Sequence, residues 1–229
     1  MRNLVIAIDG PAASGKTTTA RAIARRLGYL HIDTGAMYRA MTVKVFDHHI
    51  DLNNSKAIAS LAGGTQIELK KAGDSLHVFL DGTDVSDRIR TREVTNAVSA
   101  VSAIQEVRDV MVREQRRMGK TGGVVLEGRD IGTVVFPDAD VKIYMIADIG
   151  ERALRRQREM VEQDSFVDLD ELRIELAKRD AWDSGRNISP LRQAKDAILL
   201  DTSKLTIDEQ VEFVVQRVNE KLDNERNDR

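Results

Sequence analysis

Short apolar runs rich in valine and isoleucine alternate along the chain with longer amphipathic stretches. This alternation is typical of strands that are joined by crossover helices into a parallel sheet. Each run is short enough for a strand buried on both faces. The predicted strands are residues 4–8, 29–32, 124–126, 141–146 and 197–200. The pattern therefore predicts an α/β fold with three layers, in which helices flank a five-stranded parallel sheet.

Helical periodicity fills most of the gaps between these runs. Residues 16–27, 92–117 and 206–222 are predicted helices, and apolar residues of the last one lie on a single face. Thr206 and Glu209 have the spacing of a capping box at its start. The residues after 222 are all polar, and we expect them to fray.

One segment departs from the alternation of strand and helix. Residues 65–69 and 76–80 show the two-residue period of strands, with a turn predicted over 70–75 and a second turn at Asp81-Gly82. Two or three strands with polar faces are marginally stable alone. We therefore predict that residues 63–90 form a small antiparallel insert supported by the α/β core.

The composition fits a folded protein and excludes several classes. The chain has 229 residues, 41% of them hydrophobic, a net charge of -2 and no cysteine. One or two compact domains are expected, and a disulfide scaffold or a cysteine-ligated metal site is excluded. No apolar run reaches the roughly 18 residues of a membrane span, and the near-neutral charge disfavours non-specific binding to nucleic acid or membranes. We expect a cytoplasmic protein.

The strongest motif lies directly after the first predicted strand. Residues 10–17 match the G-x-x-x-x-G-K-[ST] pattern of a P-loop, and they open a predicted helix as the chemistry requires. Glycines let backbone N–H groups converge on a polyphosphate, Lys16 reaches the β- and γ-phosphates, and Thr17 supplies a hydroxyl to Mg²⁺. The motif therefore predicts a nucleoside triphosphate with Mg²⁺ as cofactor. The residues predicted to bind ATP are Gly10, Pro11, Ala12, Ala13, Ser14, Gly15, Lys16, Thr17 and Thr18.

Guanine specificity is not expected. The [NT]-K-x-D segment of GTPases is missing, since the nearest match, residues 177–180, lacks its first residue and lies in a helical stretch. Three clusters with basic residues, 33–39, 128–130 and 179–186, are candidates for a second anion site that holds a phosphate acceptor. Each cluster taken singly is equally well explained as a solvated run of charges.

Taken together with the P-loop, these clusters closely resemble the bacterial cytidylate kinases, a family of P-loop nucleoside monophosphate kinases. The resemblance runs nearly from end to end. It includes the opening I-D-G-P, the D-[ST]-G-A-x-Y-R stretch and E-G-R-D followed by G-T-V-V-F-P. It also covers N-A-V-S at residues 96–99, V-R at 107–108, S-P-L at 189–191 and L-D-T at 200–202.

The resemblance implies transfer of a phosphoryl group from ATP to CMP or dCMP. In that family the matching residues have three tasks. Arg39, Arg129 and Arg186 would hold the acceptor phosphate, and Arg179 with Asp183 would contact the sugar side. Ser99, Arg108 and Asp130 would read cytosine. The implied CMP-binding residues are Thr34, Arg39, Ser99, Arg108, Arg129, Asp130, Arg179, Asp183 and Arg186, and the implied catalytic residues are Lys16, Arg129 and Arg186.

The family also implies a division of the chain and a monomeric protein. Residues 1–33, 96–149 and 185–229 would form the P-loop core, residues 34–95 the monophosphate-binding region with the insert, and residues 150–184 a short helical lid with the helix that follows. The arginine-rich residues 151–158 are expected in the lid, and a solvated helix with paired charges is the alternative. We also expect the acceptor-site arginines to converge on one cleft, with most acidic residues elsewhere.

Several interpretations remain open from the sequence. A UMP/CMP kinase or a shikimate-type kinase is the nearest alternative, and a P-loop regulatory NTPase is a more distant one because it does not explain the acceptor-site arginines. Asp33 either holds a magnesium-bound water or caps the following helix. The histidines at positions 31, 48, 49 and 77 lack the spacing of metal ligands, so we expect structural or exposed roles for them.

Overall fold

The computed structural model of the protein describes residues 3–72, 75–161 and 167–227. Its strands are β1 (Val5–Asp9), β2 (Leu30–Asp33), β3 (Ile67–Ala72), β4 (Ser75–Leu80), β5 (Thr83–Asp84), β6 (Val124–Gly128), β7 (Val141–Ile146) and β8 (Ile198–Asp201). Its α-helices are α1 (Lys16–Leu27), α2 (Thr34–Asp47), α3 (Ser55–Ala62), α4 (Arg92–Ser102), α5 (Gln105–Gly119), α6 (Ile149–Val161), α7 (Leu169–Gly185) and α8 (Ile207–Asn227).

The chain divides into two compact units. The core unit comprises Met1–His31 and Gly119–Arg229, and the inserted unit comprises Ile32–Met118. Residues 96–118 thus belong to the inserted unit by their contacts, whereas the sequence assigned them to the P-loop core. The functional division into core, monophosphate-binding region and lid stays a prediction.

A five-stranded parallel sheet in the order β2–β6–β1–β7–β8 organises the core unit. The central strand β1 pairs with β6 and β7 on its two sides. Ile6, Ala7 and Ile8 of β1 are fully buried, as expected for a strand covered on both faces. All five predicted strands are therefore confirmed, with ends that shift by one or two residues.

Two apolar clusters hold the core unit together. The larger one joins the sheet to α1 and α8 through Ile23, Met145 and Val214, among others. The smaller one packs α6 against α7 and includes Ala12 of the P-loop. Burial of these side chains contributes roughly 1.5–3 kcal/mol for each large residue. Because Ala12 belongs to the smaller cluster, this packing holds the P-loop against α6 and α7.

The predicted helix over residues 92–117 was wrong, because the structure has two helices there. α4 ends at Ser102, where the amides of Ala103 and Ile104 bond to carbonyls three residues earlier. The guanidinium of Arg108, on α5, donates to the carbonyl oxygen of Ser102 at 3.3 Å. A helix end needs partners for its last carbonyls, and here the next helix supplies one.

The C-terminal helix is longer than predicted. The capping box is confirmed, since the Thr206 hydroxyl accepts from the Glu209 amide while Glu209 accepts from the Thr206 amide. α8 then continues to Asn227, which contradicts the expected fraying for residues 223–227, while residues 228–229 lie outside the described ranges. Residues 223–227 include the weak helix formers Asp223, Asn224 and Asn227, so helix propensity does not explain the extension.

The inserted unit carries the predicted antiparallel sheet, in the order β3–β4–β5. β3 and β4 run closer to their turn than predicted, and the turn itself, at residues 73–74, lies outside the described residues. Asp81 and Gly82 form the predicted second turn, with φ values of 48° and 85°. Lys44 of α2 bonds to Asp81 at 2.7 Å and so attaches the sheet to that helix.

The backbone geometry at Gly122 gives a stability prediction with a matched control. Gly122 and Gly28 have nearly equal φ values of 67° and 69°. A Cβ atom on Gly122 would lie 2.0 Å from the carbonyl oxygen of Asn3, whereas nothing lies within 4 Å of one on Gly28. We expect Gly28→Ala to cost about 1–2 kcal/mol from the left-handed backbone alone, and Gly122→Ala to cost about 1–3 kcal/mol more. Urea unfolding of both variants measures the difference, and equal losses would contradict it.

Candidate active site

The P-loop connects the buried end of β1 to the start of α1. Gly10 has a φ of 153°, and a Cβ atom there would lie 2.1 Å from the carbonyl oxygen of Met145. Only glycine therefore allows the loop to pass so close to β7. The loop carries the predicted glycine, lysine and threonine at the start of a helix, which is the geometry that binds phosphates through backbone N–H groups.

Lys16 is buried beneath this loop and points back along it. Its Nζ atom donates to the carbonyl oxygen of Pro11 at 2.5 Å and to the Ser14 hydroxyl at 3.3 Å. Burial, followed by the charge of Arg129, lowers the pKa of Lys16 to about 7, while Glu127 and Asp9 oppose that shift. A bound polyphosphate would stabilise the charged ammonium, which is the form that neutralises phosphate oxygens.

Two arginines of α6 bond to carbonyl oxygens of the P-loop. Arg152 donates to Ala12 at 3.2 Å and to the carboxylate of Asp180 at 2.7 Å. Arg155 donates to the carbonyl oxygen of Ser14 at 3.3 Å. The sequence placed both residues in an arginine-rich lid without separating them, because which residues of a helix face the loop depends on tertiary packing.

Thr17, which is exposed at the start of α1, bonds to a buried pair of polar side chains that the sequence did not reveal. Its hydroxyl donates to Oε2 of Glu127 at 2.8 Å. The other carboxylate oxygen, Oε1, lies 3.0 Å from Nε2 of His31. Glu127 is the fourth of five residues of β6, and His31 is the second of four residues of the neighbouring strand β2. The position of Glu127 near the carboxyl end of a parallel strand is a signal that the sequence offers, whereas the position of His31 offers none.

Asp9 connects the P-loop to the segment that follows β6. Its two carboxylate oxygens accept the backbone amides of Ile131 and Gly132, each at 2.8 Å. These amides start a turn of π-helix, Ile131–Val135, directly after Arg129 and Asp130. Burial raises the pKa of Asp9 to about 6, the two amides oppose the shift, and the charge of Asp130 adds to it.

The structure brings several predicted acceptor-site residues of the core unit together. Nε of Arg129 donates to Asp183 at 2.8 Å, and Arg186 lies 4.0 Å from the other oxygen of that carboxylate. Burial alone would raise the pKa of Asp183, but Arg129, Arg179 and Arg186 together hold it below its usual value. Asp130 is also buried, close enough to Asp9 for its charge to act there. The core unit therefore contains a cluster of half-buried arginines around a buried aspartate.

The inserted unit holds the other predicted acceptor-site residues. Asp33 caps α2 by accepting the amide of Ala36 at 2.9 Å, which confirms the capping interpretation. Its second oxygen accepts from Nη2 of Arg39 at 2.9 Å. Thr34, the first residue of α2, is buried. Arg39 and Arg129 are thus each paired with an aspartate, Asp33 and Asp183.

Arg108 and Ser99 lie on consecutive helices of the inserted unit. The guanidinium of Arg108 is buried, and it lies 5.4 Å from the centre of the Tyr38 ring as well as bonding to Ser102. Ser99 is half-buried on α4. The cation–π contact and the carbonyl together orient Arg108, so its position in the unit is well determined.

Two further observations concern metals and membranes. In residues 3–72, 75–161 and 167–227, no group of three or more His, Cys, Asp or Glu side chains could hold a metal ion. No helix of the described ranges is both long and apolar enough to cross a membrane.

The pKa of Asp9 predicts a specific pH dependence of stability. Its pKa is 3.8 in a model compound and about 6 in the folded protein, so the folded state binds more protons between these values and stability falls as pH rises. Asp9→Asn removes the carboxyl group that binds this additional proton. The quantity to compare is the unfolding free energy of the parent protein minus that of the variant. We expect this difference to fall by about 2 kcal/mol between about pH 4.5 and about pH 7.5. Urea unfolding of both proteins tests this, and a constant difference would contradict the raised pKa.

Comparisons with known proteins identify the family of this chain. A solved structure of an uncharacterized protein from Eubacterium ventriosum ATCC 27560 superposes with a TM-score of 0.54 at 13% identity, over 95% of this chain and 99% of that chain, which shows the fold alone. The cytidylate kinase of Geobacillus sp. (strain WCH70) is 49% identical over 220 residues, 96% of this chain and 98% of that relative. The cytidylate kinase of Bacillus subtilis (strain 168) is 46% identical over the same shares. The family model described as Cytidylate kinase matches residues 6–220, and the chain therefore belongs to the cytidylate kinase family.

Proposed function

We propose that this protein transfers the γ-phosphoryl group of ATP to a phosphate oxygen of CMP or dCMP, giving ADP and CDP or dCDP. The observation that carries the proposal is the cluster of Arg129, Arg179 and Arg186 around Asp183, in the same compact unit as the P-loop. A P-loop alone supports only the use of a nucleoside triphosphate. The arginine cluster adds a place for a second anion, and the family supports CMP as that anion.

The donor nucleotide binds along residues 10–18 in this proposal. Backbone N–H groups at the start of α1 hold the phosphates, and Lys16 leaves the Pro11 carbonyl to reach the β- and γ-phosphates. Bonds from Arg152 and Arg155 to loop carbonyls keep the loop in shape before ATP arrives. Such preorganisation lowers the cost of ordering the loop on binding.

The residues near Thr17 fit a magnesium ion. Thr17 and Glu127 supply hard oxygen donors, and a Mg²⁺ ion at a kinase site normally takes only one or two protein ligands, with phosphates and waters completing its shell. The absence of a three-residue ligand cluster in the described ranges agrees with such a site. Thr17 would hold the ion. When bound, the ion neutralises charge on the phosphate oxygens.

The proposed reaction is an in-line displacement that needs no strong general base. The second pKa of a phosphate monoester is near ~6, so at neutral pH the acceptor is mostly a dianion and a competent nucleophile. The protein's task is then to position the two phosphates and to balance their charge. Lys16 acts on the donor side, while Arg129 and Arg186 hold the acceptor phosphate and balance charge that develops during transfer.

The family resemblance supplies the remaining acceptor-binding roles of the proposal. Arg39, Arg129 and Arg186 are proposed to hold the acceptor phosphate, and Arg179 and Asp183 to contact the sugar side. Thr34 is proposed as a further CMP-binding residue.

Base recognition follows from the hydrogen-bonding pattern of cytosine. The ring offers an amino donor beside acceptor atoms, which matches the carboxylate of Asp130 together with Arg108 and Ser99. Uracil would place a carbonyl against that carboxylate and leave buried polar groups unpaired, which discriminates by about 10⁴. Cytoplasmic location, a monomeric state and the closure of residues 150–184 as a lid stay predictions.

A panel of acceptors tests the proposed function. ADP formation is measured with CMP, dCMP, UMP, AMP or shikimate, each at several concentrations. We expect the highest kcat/KM with CMP or dCMP and a value for UMP lower by about 10⁴. A preference for UMP would contradict the base recognition, and a preference for shikimate would contradict nucleotide phosphorylation. Phosphate release that needs no acceptor, with no CDP formed when CMP is added, would identify a regulatory NTPase instead.

The role of Arg129 gives a second kinetic prediction. Its guanidinium is proposed to bind the acceptor phosphate most strongly in the transition state. We expect Arg129→Ala to lower kcat by about 10²–10³ and to change KM for CMP much less. Arg217→Ala, which removes an arginine paired with Glu220 on α8, is the matched control and should leave both constants unchanged. An effect confined to KM would assign Arg129 to ground-state binding only.

A further inference from the structure

The buried contact between His31 and Glu127 has no task in the proposed reaction. His31 is 9% exposed and Glu127 is 4% exposed. Nε2 of His31 lies 3.0 Å from Oε1 of Glu127, and the Thr17 hydroxyl donates to Oε2 at 2.8 Å. All three residues belong to the core unit. One carboxylate therefore links a histidine of β2 to the P-loop.

The Thr17 hydroxyl donates to Oε2 of Glu127, so its proton points toward that carboxylate. A carboxylate that accepts at both oxygens requires a hydrogen on Nε2 of His31. A hydroxyl whose proton is held in this way presents its oxygen lone pairs elsewhere. Lone pairs are what a divalent cation binds, and groups behind a ligand commonly set its orientation and its affinity for metal.

The cost of burial explains why Glu127 needs a second partner. A buried carboxylate with an unused oxygen loses much of its hydration free energy, and its side chain can rotate toward whatever donor remains. Lys16 is close enough for the charge of Glu127 to act on it. Loss of the donor that His31 supplies would weaken the hold on Oε1, and a turn of Glu127 toward the ammonium of Lys16 would withdraw the acceptor from Thr17.

We propose that His31 is a positioning residue for the ATP and Mg²⁺ site: by donating from Nε2 to Glu127, it holds the carboxylate that orients the hydroxyl of Thr17 toward a divalent cation. The inference rests on the ATP half of the proposed function and does not depend on the acceptor. It gives His31 an effect on metal-dependent binding of ATP that a histidine in a purely structural role would not have.

The test compares ATP affinity with and without Mg²⁺ in three variants. His31→Leu removes the donor, His31→Gln keeps an amide N–H near the position of Nε2, and Ile32→Val is a control for a general loss of packing in the same strand. Displacement of a fluorescent nucleotide gives the ATP dissociation constant in saturating Mg²⁺ and in EDTA. We expect His31→Leu to weaken ATP binding about tenfold in Mg²⁺ and less than about twofold in EDTA. His31→Gln and Ile32→Val should remain within about threefold of the parent protein in both conditions.

Equal losses with and without Mg²⁺, or a loss in His31→Gln as large as that in His31→Leu, would overturn the proposal. If His31→Leu does not fold, the comparison of His31→Gln with the parent protein still stands. A second measurement needs no variant: ¹H–¹⁵N correlation spectra of the parent protein should show a hydrogen on Nε2 of His31, and a ring protonated on Nδ1 alone would overturn the proposal. Because neither experiment contains CMP, a wrong acceptor would leave both results unchanged.

Discussion

The carboxylate of Asp9 holds together the two segments on which the proposed chemistry depends. It lies at the end of β1, one residue before the P-loop, and it accepts the amides of Ile131 and Gly132 from the segment after β6. The raised pKa shows that burial of this charge is costly. A single residue thus fixes the donor-phosphate loop relative to Arg129 and Asp130, and phosphoryl transfer is sensitive to such distances because misplacement by about 1 Å can cost about 10² in rate.

The P-loop backbone is held from its carbonyl side by cations. Lys16 bonds to Pro11, and two arginines of α6 reach the next carbonyls along the loop. With the carbonyls occupied, the amides of the loop are left to face an anion, which is how backbone dipoles bind phosphate. The same contacts couple α6 to the loop. A movement of that helix, such as a lid region would make, would therefore change the shape of the phosphate site.

Features formed by residues close together in the sequence could be predicted in this protein, whereas contacts between residues far apart in the sequence could not. The five strands, the P-loop and the capping box are local patterns of a few residues, so the sequence predicts them well. The break after Ser102 is accompanied by a hydrogen bond from a guanidinium of the next helix, and the periodicity of apolar residues does not report such a contact. The contacts of Asp9 and Glu127 join residues about a hundred positions apart, where only the order of strands in the sheet brings them together. The family resemblance named the arginines but not the groups that orient them.

The pairing of arginines with aspartates has a consequence for the proposed acceptor site. Like charges packed without counterions would repel one another and lower the stability of the fold, so Asp183 stabilises the cluster around Arg129. A phosphate dianion carries twice the charge of a carboxylate and more acceptor oxygens, so it can share these guanidinium groups or displace Asp183 from them. A monoanion would have to compete with this carboxylate, which also orients Arg129 through its hydrogen bond. Selectivity for a phosphate over other anions would then arise from competition within the site, in addition to the recognition of the base.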